Sequence, residues 1–348
     1  MRAQSLKDEL SERDRAVLRH VVQNFILTAN PVGSRYLAKH SGLNLSPATI
    51  RNLMADLEER GYLNHPHTSA GRVPTDKGYR VYVDMLMDIE NLSKKELEAI
   101  KKKLEKVEDR EEMLSQASDL LGTISSQLSI VTNPQLASGK LDRLEIVSLS
   151  SNRIMVIITV QSGIIKTLVM EVLSEIKRDK LDAITQVLNE RLHGLTLKQI
   201  RETFSERVKD VRNEETGLIR LFVDSVDELF NDAKDRERLY ISGTRDILKN
   251  PEFNSPDNIR SVIELIDDKE IIIHVLESQG EKGSDLTISI GKENREKRLK
   301  NYSVITTRYL MGDIFGTVSV IGPKRMNYSR IIPLVDHIAK SITKNTSD

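Results

Sequence analysis

Residues 46–80 read SPATIRNLMADLEERGYLNHPHTSAGRVPTDKGYR, and the fold of the first part of the chain follows from that run. Ser46 has the side-chain oxygen that a helix N-terminus wants, and Pro47 suits the first helical position, where a missing N–H costs nothing. Ile50, Leu53, Met54 and Leu57 fall on one face at helical spacing, and Gly61 can adopt the left-handed conformation that ends a helix. The pattern predicts a helix from Ser46 to about Arg60. Its outward face in the first two turns carries Ala48, Thr49, Arg51 and Asn52, which are short or can hydrogen-bond a base edge or a phosphate. An ordinary amphipathic surface helix would share most of these features, so the flanks decide the reading.

Upstream, Ser11 and Asp14 have capping-box spacing, and Ala16, Val17, Val21, Phe25 and Ile26 follow at helical intervals, predicting a helix over about 12–28. Asn30-Pro31-Val32-Gly33 breaks it, Ser34 can cap a short helix SRYLAKHS that turns Leu37 and Ala38 inward, and Gly42 with LNL makes a tight turn. Three helices so joined form a helix-turn-helix whose last helix enters the major groove. Downstream, Tyr62–Asn64 and Arg72–Pro74 read as short strands around HPHTSAG, the hairpin of a wing. Tyr79, Tyr82, Val83 and Leu86 then predict an amphipathic helix over Asp76–Ile89 that leads out of a winged-helix domain spanning residues 1–90.

The run SPATIRNLMADLEERGYLNHPHTSAGRVPTDKGYRVYVD at 46–84, with GSRYLAKHSGLNL at 33–45 and GTVSVIGPKRMNYSR at 316–330, resembles the signature of the HrcA family. These are the heat-inducible repressors of bacterial chaperone operons, and the resemblance extends over essentially the whole chain. It implies a homodimer bound to double-stranded DNA at the CIRCE inverted repeat, kept active by the GroE chaperonin and released on heat stress. It also implies a GAF-like sheet domain into which a dimerisation domain is inserted. His67, Thr68, Ser69 and Arg72 lie in the most distinctive part of the run, and Arg72 is expected to reach the minor groove or a phosphate.

Composition sets bounds on the alternatives. The chain has 348 residues, 39% hydrophobic and 30% charged, which suits two or three soluble domains. No apolar run approaches the roughly 20 residues needed to span a bilayer. The N-terminus MRAQSLKDELSERDR has no apolar signal core and there is no Cys, so disulfides and thiolate chemistry are excluded and a cytoplasmic protein without a membrane partner is expected.

A formal net charge of zero is unusual for a DNA binder, because affinity for the phosphate backbone depends on basic contacts. Local placement matters more. Arg35, Arg51, Arg72, Lys77 and Arg80 cluster in the candidate surface, and the acidic Asp56, Glu58 and Glu59 sit toward the distal end of the recognition helix. Arg51 and Asn52 are the expected base readers, Ser34, Thr49, Lys77 and Arg80 the expected phosphate anchors, with Ser46 and Arg35 beside them. Weak nonspecific affinity then calls for two recognition units in one particle, on an inverted repeat.

After residue 90, Ser93 and Glu96 form a second capping box, and apolar residues recur in steps of three and four to residue 131. A polar interruption at Arg110-Glu111 favours an exposed connector over 91–110 and a packed helix beyond it; a dimeric coiled coil is the alternative. β-branched runs at 144–149, 154–160 and 164–172 predict antiparallel hairpins, and further apolar runs at 271–276, 286–290, 302–310 and 314–321 predict more strands. The intervening helical patterns suggest an insertion. The expected architecture is a multidomain α+β chain: an N-terminal winged helix-turn-helix, a GAF-like antiparallel-sheet domain split over 111–174 and 270–348, and an inserted, mainly helical dimerisation domain over 175–269.

Catalytic and cofactor signals are weak. His65-x-His67 is a possible ligand pair, but nothing near it completes the three or four ligands of a zinc site. The remaining histidines are scattered singly, no glycine-rich phosphate loop appears, and no hydrolase or kinase signature is present. Neither an enzyme nor a resident cofactor or metal is expected. The competing function is a metabolite-responsive winged-helix regulator that senses a small ligand in the GAF-like domain.

Overall fold

The computed structural model describes residues 10–66, 71–105, 107, 109–211, 216–230, 239–280 and 286–346. The chain divides into two compact units, one of residues 1–131, 240–307 and 318–341, the other of residues 132–239, 308–317 and 342–348.

The first unit opens with α1 (Glu12–Thr28), started by the expected capping box: the Asp14 N–H donates to the Ser11 hydroxyl at 3.2 Å, and the Ser11 N–H donates to the Asp14 carboxylate at 3.1 Å. Val17, Leu18, Val21 and Val22 make its buried stripe. After α1, Val32 pairs with Arg72 by two reciprocal backbone hydrogen bonds of 2.9 Å. Next, α2 (Ser34–His40) begins after Gly33, so Ser34 is its first residue and not its cap, a shift of one position from the sequence expectation. Gly42 and Asn44, both left-handed, turn the chain into α3 (Pro47–Glu59), whose Ile50, Met54 and Leu57 are buried as the spacing predicted. Two short antiparallel strands follow, β1 (Leu63–Asn64) and β2 (Val73–Pro74), and the wing tip His67–Ala70 lies outside the described residues.

Thr75 caps α4 (Asp76–Val81), which runs on as a π-helical turn over Tyr82–Leu86. The segment after residue 90 forms two helices, α5 (Lys94–Leu104) and α6 (Arg110–Ser125), the first begun by the Ser93–Glu96 capping box. Strand β3 (Leu128–Thr132) joins a five-stranded sheet whose other members come from much later in the chain.

The second unit has its own sheet: β4 (Leu141–Ser150), β5 (Arg153–Val160) and β6 (Ile165–Glu171), in antiparallel order β4-β5-β6. The sequence reading had assigned these strands to the split sheet domain; hydrogen bonding separates them from it. Their inner face, with Leu144, Ile146, Val156 and Ile158, shares one core with α7 (Arg178–Leu192), α8 (Leu197–Arg207), α9 (Leu218–Asp224) and α10 (Val226–Phe230). β4 is an edge strand, and α7 covers part of that edge with one side chain: Asn189 accepts from the Leu144 N–H and donates to the Leu144 carbonyl, both at 2.8 Å.

The chain then returns to the first unit through β7 (Leu239–Ser242), α11 (Thr244–Ile247), α12 (Pro256–Asp267) and α13 (Lys269–Gly280). A strand was expected over 271–276, but this run lies within α13. Ile272, Val275 and Leu276 are buried at helical spacing, and the Ile271 N–H donates to the Asp268 carboxylate at 3.2 Å, an N-terminal cap that β-branched composition does not reveal. Strands β8 (Leu286–Ile290), β9 (Tyr302–Met311) and β10 (Ile314–Pro323) complete the sheet order β7-β3-β10-β9-β8. The last helix, α14 (Tyr328–Asn345), buries Ile331, Leu334, Val335 and Ile338, and its Tyr328 hydroxyl lies 2.6 Å from the Ser303 hydroxyl of β9.

Replacing Asn189 by Leu leaves the Leu144 backbone groups without their side-chain partner. The expected loss is about 1–3 kcal/mol of second-unit stability, read as a lower urea midpoint by far-UV circular dichroism.

Candidate nucleic-acid interface

Helix α3 is held at both ends. The Ser46 hydroxyl accepts from the Thr49 N–H at 3.1 Å and lies 2.9 Å from the Thr49 hydroxyl, which closes the N-terminus. At the other end Gly61, left-handed at φ 78°, donates to Glu58 O at 2.9 Å, and Tyr62 donates to Leu57 O at 2.8 Å. This is the Schellman arrangement, and its usual apolar contact is supplied by the buried Leu57 and Tyr62.

The flank that follows the wing grips the same end. Thr75 donates from its hydroxyl to Gly61 O at 2.7 Å and from its N–H to Tyr62 O at 3.1 Å. Lys77 donates from Nζ to Arg60 O at 3.1 Å and sits 4.1 Å from the centre of the Tyr62 ring. Gly78 must be glycine for a steric reason: a Cβ there would lie 2.2 Å from Tyr62 O.

With its inner face buried and its ends capped, α3 turns Ala48, Arg51, Asn52 and Ala55 outward, all four exposed. They recur at i, i+3, i+4 and i+7, a single stripe in which two alanines let the backbone approach base edges and the pair between them supplies the donors. Ser46 is exposed beside this stripe and Thr49 is half-buried.

The basic residues that the sequence grouped together separate into two classes. The guanidinium groups of Arg51 and Arg35 have no ion pair or hydrogen bond among the described residues, and both residues are exposed. Arg72 is different: its Nε is 2.6 Å from Glu58 Oε2 and its backbone is tied to Val32 at the root of the wing. The expectation that Arg72 reaches for DNA does not fit that geometry, since the guanidinium is already paired with the Glu58 carboxylate of α3.

Arg80 is also committed inward. It donates to Glu293 Oε1 at 2.9 Å, to Ile288 O at 2.8 Å and to Asp84 Oδ1 at 3.0 Å. Burial works against its charge, but the hydrogen bond and charge of Glu293, helped by Asp84, outweigh it and hold the guanidinium more firmly protonated than usual. Arg80 therefore fastens α4 to the sheet and is not a free phosphate anchor. Asp76 on the same helix accepts from the Lys292 N–H at 2.9 Å and from Lys324 Nζ at 2.7 Å. The left-handed Gly291 makes that approach possible, as a Cβ there would lie 2.3 Å from the Asp76 carboxylate.

Lys77 is exposed although its ammonium donates to Arg60 O, and Ser34 is half-buried at the start of α2. His67, Thr68 and Ser69 lie outside the described residues. The sequence reading passed over Tyr36, Lys39 and His40, which are exposed on α2 next to Arg35. Tyr36 stacks on His40 with centroids 4.3 Å apart and accepts from Asn24 at 3.0 Å. An exposed tyrosine among basic residues on one short helix was the available signal. Among the described residues no group of three or more His, Cys, Asp or Glu could hold a metal ion, and no helix is long and apolar enough to cross a membrane.

Comparison with known proteins adds the wider context. Residues 111–332 match the family model described as the HrcA protein C-terminal domain. The heat-inducible transcription repressor HrcA of Chlorobium phaeobacteroides (strain BS1) is 42% identical over 349 residues, covering 97% of this chain and 99% of its own length. The protein of the same name from Chlorobaculum tepidum is 43% identical over 350 residues, covering 97% and 98%. Among solved structures, a hypothetical protein determined at 2.2 Å resolution superposes with a TM-score of 0.57 at 25% identity, over 97% of this chain and 99% of that one.

The clamp on α3 yields a stability test. Gly78→Ala drives a methyl into the Tyr62 carbonyl, and about 1–3 kcal/mol of destabilisation is expected, seen as a lowered thermal transition and as reduced protection of the α3 amides in hydrogen exchange.

Proposed function

The chain belongs to the HrcA family, and from that premise we propose that it is a heat-inducible transcription repressor that reads an inverted-repeat, CIRCE-type operator as a homodimer. The observation that carries this reading is the outward stripe Ala48, Arg51, Asn52 and Ala55 on a helix capped at both ends. Each subunit places the first turns of α3 in one major groove. Arg51 and Asn52 read base edges, and the free cation Arg35 meets phosphates, together with Lys77, Ser46, Thr49 and Ser34. Lys39 and Tyr36 extend this contact along α2. The wing residues His67, Thr68 and Ser69 lie against the backbone, while Arg72 and Arg80 support the module from behind. The protein acts by occupancy and performs no catalysis.

Dimerisation is assigned to the second unit in place of the expected 175–269 segment. The outer face of its sheet aligns Val147, Met155 and Val169 across the three strands, with Ile157 and Ile165 beside them. Val147, Ile165 and Val169 are 40%, 61% and 52% exposed, where a solvent-facing antiparallel sheet is normally polar. The first unit's sheet is the GAF-like domain. Dependence on the GroE chaperonin fits a chain whose first unit is assembled from segments on either side of the second, since such non-local contacts are slow to form and leave apolar surface exposed during folding.

Two measurements test this. In fluorescence anisotropy at a fixed salt concentration, Arg51→Ala should lose about 1–3 kcal/mol on the operator and much less on random duplex, whereas Lys77→Ala should weaken all duplexes alike; equal losses for Arg51→Ala on both DNAs overturn the base-reading assignment. In sedimentation, Val169→Lys should move the protein toward monomer and abolish the preference for a whole operator over a half-site. A dimer unchanged by Val169→Lys places the interface elsewhere.

A further inference from the structure

Within the first unit, a cavity of about 610 Å³ opens between the root of the wing and the sheet. This volume is that of a small-molecule site. Val73, Pro74 and Phe25 form one wall; Phe253 and Tyr302, with parallel rings 6.1 Å apart, belong to the opposite wall. The rest of the lining is largely polar, and two of the polar groups on lining residues stand out. The Tyr79 hydroxyl and Glu252 Oε2 are buried and have no hydrogen-bond partner among the described residues. Tyr79 is only 2% exposed, so a bare hydroxyl in that position is costly unless something meets it. The other Glu252 oxygen is engaged by Arg325, which also donates to Ile26 O at 2.8 Å.

Charge at the mouth is the third element. Lys297 and Lys300 line the cavity and are exposed, and their ammonium groups have no ion pair or hydrogen bond among the described residues, unlike the neighbouring Arg298 side chain, which pairs with Asp268 at 2.8 Å. Burial raises the Tyr79 hydroxyl well above its ordinary range and pushes that of Tyr302 to about 12, so both remain neutral donors at physiological pH.

We propose that this cavity binds a small organic anion: a flat apolar or aromatic body between Pro74 and Tyr302, an amine or hydroxyl meeting Glu252 Oε2 and the Tyr79 hydroxyl, and a carboxylate or phosphate facing Lys297 and Lys300. The walls come from residues 73–79 on one side and 252–325 on the other, so the ligand touches both the base of the wing and the sheet of the same unit. This site is separate from the DNA-reading stripe and stands whether or not that assignment holds.

The probe is 1-anilinonaphthalene-8-sulfonate, which combines an apolar body, an N–H and an anionic group. Titrated into the full-length protein, it should show saturable binding at one site per chain, displaced by 4-aminobenzoate or 4-aminophenyl phosphate; whichever displaces more strongly identifies the anion as carboxylate or phosphate. Ser261→Trp at the exposed rim should abolish the signal, Tyr79→Phe should weaken it about fivefold, and the exposed pair Lys297→Ala/Lys300→Ala should weaken it at least threefold with an unchanged thermal transition. Fluorescence that neither compound displaces, or that survives unchanged in the lysine double variant, overturns the proposal.

Discussion

Asp76 and Arg80 stand one turn apart on α4, and most of what the first unit does depends on where those two side chains point. Asp76 takes the Lys292 N–H and the Lys324 ammonium, and Arg80 takes Glu293 and the Ile288 carbonyl. On the opposite side of the same helix, Gly78 lies directly against Tyr62 O and, with Thr75 and Lys77 beside it, holds the end of α3. One short helix therefore fixes α3 in one direction and the sheet in the other. The two sequence runs that stood out, 46–84 and 316–330, are distant in the chain but meet here through Asp76 and Lys324.

The same geometry explains how a chain of zero formal charge can present a basic surface. Acidic residues are spent internally: Glu58 on Arg72, Glu293 and Asp84 on Arg80, Asp14 on Arg60. What remains outward on α2 and the first two turns of α3 is Arg35, Lys39 and Arg51, while the exposed Asp56 and Glu59 sit toward the other end of α3. Net charge describes the whole molecule, whereas counterion release depends on the few cations that face the phosphates.

The first and third helices were legible because their signals are local. Ser11 with Asp14, Ser46 with Pro47, and Gly61 each act within a few residues, and helix boundaries followed from them. The partners of Arg72 and Arg80 were not legible: Glu293 is 213 residues from Arg80, and no periodicity connects them. The run 271–276 misled because β-branched composition suits a strand, while the buried residues Ile272, Val275 and Leu276 keep helical spacing. The runs 144–149, 154–160 and 164–172 read as strands, but that they form a sheet of their own was not legible, since alternation reports that one face is buried and says nothing about which strands pair.

The Asp76–Lys324 pair closes over 248 positions, nearly three quarters of the polypeptide. A ribosome has made α1 to α4 long before it makes the lysine that pairs with α4. An unfinished or prematurely terminated product thus has α3 and α4 but lacks both the glutamate and the lysine that fasten α4 to the rest of its unit. Docking of that helix is in this sense a property of the finished polypeptide alone.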